Sequence, residues 1–143
     1  MLFYCKKEYR IILVAWISFL LFSCASKNPE PVRINLDNCT YCHQKIKEQR
    51  FSCAIVTSDN FTNKFDDIIC MLKYSNKNKT RGSYYCGSYC KNGSLYPANQ
   101  MYYLLIDSRG STDRNIAAFD SYDSAAVYSS KLDTPILNWE SLW

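Results

Sequence analysis

One arrangement of residues occurs twice in this chain, and it limits the fold more than any single motif does. In the later copy, Met101 to Ile106 reads as a strongly apolar strand, Ser108-Arg-Gly110 as a turn and Ile116 to Phe119 as a second strand. Asp120 and Ser121 can then cap a helix carrying Ala125, Ala126 and Tyr128, because short side-chain oxygens accept the free N–H groups of a first helical turn. In the earlier copy, Phe51, Cys53 and Ile55 alternate with Ser52, Ala54 and Val56, as a strand with unlike faces would. Ser58-Asp-Asn60 marks a turn, and a shorter strand leads into Phe65. Asp66 or Asp67 can cap a helix whose buried face is Ile68, Ile69 and Leu72, running to about Tyr74. Phe65-Asp-Asp answers Phe119-Asp-Ser 54 positions on (119 minus 65). The expected fold is α+β: two related small β-β-α(-β) units, each too small to bury its own sheet face, packed together. The units cover about 34–74 and 101–143, and a last strand around Pro135 to Trp139 closes the second. Between them, 75–100 is polar, contains Lys77, Lys79, Arg81 and Lys91, and reads as a solvated loop or a basic dock, although so long a loop is uncommon in a compact domain.

The N-terminal residues point to export. A basic start precedes an apolar run from Ile11 to Phe22, which at 12 residues is well short of the roughly 20 that a bilayer-spanning helix needs. Residues 1–23 therefore read as a signal peptide. Its ending, Leu21-Phe-Ser-Cys24, has the form of a bacterial lipobox, in which the cysteine becomes an acylated N-terminus; simple secretion with Cys24 left as a thiol is the alternative. Acyl chains contribute about 0.8 kcal/mol per buried methylene, enough to hold the mature chain on a membrane facing the periplasm. Residues 24–33, with Pro29 and Pro31, form a tether. The formal charge of +4 is partly carried by Lys6, Lys7 and Arg10 in the leader. What remains is weakly basic and unclustered, so no nucleic-acid partner is expected.

Six cysteines stay with the mature domain: Cys39, Cys42, Cys53, Cys70, Cys86 and Cys90. They allow fifteen pairings, and spacing alone does not choose among them. Cys39-Thr-Tyr-Cys42-His43 brings two thiols and the single histidine within reach of one ion. Thiolates are soft ligands that favour Cu(I) or zinc, and imidazole suits both metals. A disulfide staple and, after it, a redox-active dithiol are the alternative readings of this pair. Cys86 and Cys90 form a second candidate disulfide. Cys53, Cys70 and Met71 read first as core sulfur, with Met71 kept as a possible further metal ligand. One histidine and no nucleophile–base–orienter set argue against an enzyme.

The order of pieces also resembles a known family. The lipobox, Asp37-Asn-Cys39-Thr-Tyr-Cys42, Arg50-Phe51 before a strand, Lys64-Phe-Asp-Asp-Ile-Ile-Cys-Met-Leu-Lys-Tyr74, Asn115-Ile-Ala-Ala-Phe119 and a terminal Ile136-Leu-Asn-Trp139 are similar to the NosL-type accessory lipoproteins of nitrous oxide reductase. That resemblance implies two related α+β units like a domain of organomercurial lyases. It also implies copper as cargo, with the reductase or its copper transport machinery as partner. The family's usual methionines are replaced by Gln44 and Thr112, so the thiols, His43 and Met71 are left to hold Cu(I). Zinc, or no metal, is the alternative.

Overall fold

The computed structural model describes residues 28–107 and 114–143. The signal peptide, Cys24 and residues 25–27 of the tether, the turn Ser108-Arg-Gly110 and Thr112 lie outside the described residues. Those residues form two antiparallel sheets and two α-helices, an α+β architecture. Strands β1 (Cys53–Thr57) and β2 (Thr62–Phe65) make a hairpin with Cys53 opposite Phe65. Helix α1 (Ile68–Asn78) follows. Strands β3 (Gly82–Gly87) and β4 (Leu95–Pro97) extend the first sheet in the order β2-β1-β3-β4. In the second unit, β5 (Tyr102–Asp107) pairs with β6 (Arg114–Phe119), and α2 (Tyr122–Leu132) follows.

The repeat holds down to its hydrogen bonds. Asp67 caps α1 by accepting the Cys70 amide, and Ser121 caps α2 by accepting the Ser124 amide. Both helices end on a left-handed residue, Lys79 at φ 50° and Asp133 at φ 51°. Phe65 packs on Tyr74 with ring centroids 5.3 Å apart, and Phe119 packs on Tyr128 at the same separation. The two units share one main core, in which Cys53, Ile55, Phe65, Ile68 and Met71 meet Met101, Tyr103, Ile116 and Ala118. Neither sheet face could be dried by its own helix alone, and the shared core resolves this.

Three details differ from the sequence reading. The polar segment 75–100 is not a loop throughout, since β3 lies inside the sheet between β1 and β4. Its outer end is exposed and only Cys86 and Gly87 are buried, so it lacks the apolar alternation that marks a strand. Its glycines allow close backbone approach: a Cβ on Gly82 would stand 2.5 Å from the Val56 carbonyl oxygen, and one on Gly87 2.5 Å from that of Gln49. Strand β1 is buried on both faces, with Ala54 and Val56 as covered as Cys53 and Ile55. The last strand is reduced to one bridge between Tyr103 and Leu137, after which Trp139–Leu142 form a 3-10 turn. Among the described residues no helix is long and apolar enough to cross a membrane.

Candidate metal centre

The segment before β1 folds back on itself. The Cys39 amide donates to the Gln44 carbonyl at 2.8 Å and the His43 amide to the Cys39 carbonyl at 3.0 Å, closing a turn over Thr40 to Cys42. Thr40 fastens this turn to the end of β2: its amide donates to the Lys64 carbonyl at 2.8 Å, and its hydroxyl accepts the Lys64 amide at 3.2 Å. The turn is thereby set against the start of α1, where Asp66 precedes the cap residue. Asp67 accepts the Cys70 amide at 2.6 Å, fixing Cys70 in the first helical turn.

The result is a cluster of Cys39, Cys42, Asp66 and Cys70 whose ligand atoms all lie within 4.8 Å of one another. Four donors around one ion at a metal–sulfur distance of about 2.3 Å stand about 3.8 Å apart, so small adjustments would close this set on a metal. Cys39 is buried, whereas Cys42 and Cys70 are half-buried, which opens the cluster on their side. The Cys42 thiol donates to Asp66 Oδ2 at 3.3 Å. Asp66 Oδ1 is buried without a well-formed hydrogen bond. A buried carboxylate oxygen left in this way is costly unless a cation or ordered water answers it, and here it stands among three sulfurs.

The charges suit a site that exchanges protons for metal. Burial pushes the Asp66 carboxyl up, but the thiols of Cys39, Cys70 and Cys42 together hold it below its ordinary value. Burial and the Asp66 carboxylate push the Cys39 thiol up to about 11, although the N–H groups of Cys42, Asp66 and Tyr41 approach the sulfur and favour the thiolate. Burial, then the charge of Asp67 and the hydrogen bond to Asp66, raise the Cys70 thiol well above its ordinary value. Without metal the cluster therefore carries the negative charge on oxygen and the protons on sulfur. A soft cation that displaced those protons would gain a Cys39 thiolate already met by backbone N–H groups.

No protein-family profile and no curated protein matches this chain. Among solved structures, the crystal structure of the copper chaperone NosL from Shewanella denitrificans matches at 12% identity and a TM-score of 0.65, over 80% of this chain and 95% of that one. The fold is NosL-like. At this identity the likeness concerns the path of the backbone, and the side chains of the site are argued from this chain alone.

Within the NosL-like fold, the expected ligands Cys39 and Cys42 come together. His43 does not join them: it is exposed, sits in the left-handed region at φ 63° and lies outside the group of close donors. Met71 is fully buried in the main core, about 100° round α1 from Cys70. Gln44 is exposed and contributes its carbonyl to the turn. Cys86 and Cys90 are not joined, because Cys86 is buried on β3 and Cys90 is exposed beyond the strand's end. Asp66 and Cys70 were missed as candidate ligands in the sequence. Both lie in the Phe65-Asp-Asp-Ile-Ile-Cys-Met stretch that carries the resemblance, and a cysteine three residues after a helix cap is the signal that could have found them.

Proposed function

We propose that this protein carries Cu(I), bound by the thiolates of Cys39, Cys42 and Cys70, and hands it to nitrous oxide reductase or its copper transport machinery during maturation. The observation behind this reading is the gathering of three thiols and Asp66 within 4.8 Å. Cu(I) is soft and favours thiolates over oxygen. The role of Asp66 is to accept thiol hydrogen bonds in the free protein and to offset the cation's charge in the loaded one. Half-buried Cys42 and Cys70 give an incoming thiol or thioether a side from which to replace the ligands one at a time, so release needs no unfolding. Acylated Cys24 and the tether would hold the domain at a membrane, facing the periplasm where the client matures. The similar solved structure is a chaperone rather than an enzyme, and a carrier role requires no catalytic residue.

The carboxylate in the donor set favours a second reading. Three thiolates and one carboxylate form a complete tetrahedral set for zinc, which accepts sulfur and oxygen together. Anaerobic titration of the reduced protein against competing chelators for Cu(I) and for Zn(II) separates the two. Cu(I) affinity should fall by about 100-fold or more in Cys39→Ser with Cys42→Ser, and comparably in Cys70→Ser. Equal affinity in these variants and the unaltered protein would remove the cluster from the account. A complete loss of Zn(II) affinity in Asp66→Asn, with Cu(I) affinity unchanged, would favour zinc.

A further inference from the structure

The thiols outside the cluster are not distributed at random. Cys53 on β1 and Cys86 on β3 stand directly opposite each other and are both fully buried. The Gly87 amide donates to the Ser52 carbonyl at 2.8 Å, just beyond this pair. That bond places Cys53 and Cys86 in a non-hydrogen-bonded position of the antiparallel ladder, where Cα atoms approach to about 4.5 Å and side chains come closest. A disulfide spans Cα separations of about 4.4 to 6.8 Å, so the backbone already suits one. The two thiols are within hydrogen-bonding reach of each other, and each otherwise has only weak partners: Cys53 reaches the Phe51 carbonyl at 3.3 Å, and Tyr103 meets Cys86 at 4.0 Å. Among the described cysteines, Cys39, Cys42 and Cys70 gather around Asp66, and Cys90 is exposed.

We propose that Cys53 and Cys86 form a cross-strand disulfide joining β1 to β3. Each thiol gives up its proton, and the pair gives up two electrons to an acceptor disulfide, a small thiol's or an exchange catalyst's. The acceptor's S–S bond breaks to two thiols as the Cys53–Cys86 bond forms. Because both sulfurs are fully buried in the finished sheet, exchange takes place while β1 and β3 are still docking; afterwards the core shields the bond from soluble reductants. The bond closes a loop of about thirty residues containing β2, Asp66 and α1, which carries Cys70. It would therefore hold the frame of the cluster while leaving its own thiols free, whichever metal they take.

The test is to refold reduced protein in glutathione disulfide, quench it with an alkylating agent and map the digested peptides. The expected major cross-link joins the Cys53 and Cys86 peptides. Both residues recovered alkylated from folded, oxidised protein, or linked to other cysteines, would overturn the proposal. The oxidised protein should also melt at least about 5 °C above the reduced one. Cys53→Ala with Cys86→Ala should abolish that difference; its survival in the variant would assign it to another bond.

Discussion

The thiol cluster has a counterpart where the segment before β5 meets the end of β6 and the start of α2, built on the same frame and filled with different chemistry. Ser88 and Lys91 stand 49 residues after Cys39 and Cys42 (88 minus 39, 91 minus 42), as Tyr102 of β5 does after Cys53 of β1. Asp120 and Ser124 stand 54 residues after Asp66 and Cys70 (120 minus 66, 124 minus 70). The backbone agrees: the Tyr89 amide donates to the Ala118 carbonyl at 2.7 Å, as Thr40 does to Lys64. The Cys90 amide donates to Ser88 Oγ at 3.4 Å, as the Tyr41 amide does to the Cys39 sulfur. Around the carboxylate the chemistry parts. Asp120 accepts the Ser88 hydroxyl at 2.7 Å and the Lys91 ammonium, while Ser124 turns to Ser121 at 2.9 Å. Lys91, then burial opposing it, then Ser88 leave Asp120 below its ordinary value, much as thiols do for Asp66. One frame brings side chains to a carboxylate, three thiols in the first case and a hydroxyl and an ammonium in the second, and the residue types decide whether a tethered ammonium answers it or a donor set that could hold a metal ion stands around it.

The comparison is broken or sharpened most strongly by moving the chemistry across. Ser88→Cys, Lys91→Cys and Ser124→Cys together should raise Cu(I) stoichiometry from one equivalent to two. The same triple change, made where Cys39, Cys42 and Cys70 are serine, should restore one equivalent. A folded variant that binds none would show that the frame does not suffice.

Acid gives a smaller, graded effect of different origin in the two units. The Cys39 thiol, raised to about 11, must lose its proton to bind metal, so Cu(I) affinity should rise about tenfold per pH unit for each proton displaced between pH 6 and 8. Chelator competition across that range measures the slope. In the second unit the lowered Asp120 contributes stability that is fully present above the unfolded carboxylate value of about 4. That contribution is lost as pH falls through the lower folded value, and Asp120→Asn should flatten this part of an acid titration of denaturant midpoints.

The helix caps give the smallest effect. Asp67→Ala and Ser121→Ala should each cost about 1 kcal/mol in denaturant unfolding. Only the first should also weaken metal binding, because Asp67 fixes the amide of the candidate ligand Cys70.

The repeat was legible because caps, apolar periods and the answering Phe-Asp pairs are local signals. Cys39 and Cys42 were legible for the same reason, being held in one tight turn. Strand β3 was not, since two glycines and an exposed outer half hide it in a polar segment. Proximity in sequence also misled: it paired Cys86 with Cys90 and His43 with Cys42, yet a strand end and a left-handed backbone send those side chains to different surroundings.

By itself the sequence determined the α+β repeat, the capped helices and a pair of thiols on a turn, because each depends on residues a few positions apart. Tertiary structure alone decided that Asp66 and Cys70 complete the cluster and that Cys53 faces Cys86. Those partners are separated by 24 or more residues, and only the pairing of β1 with β2 and β3, with α1 folded back, brings them together.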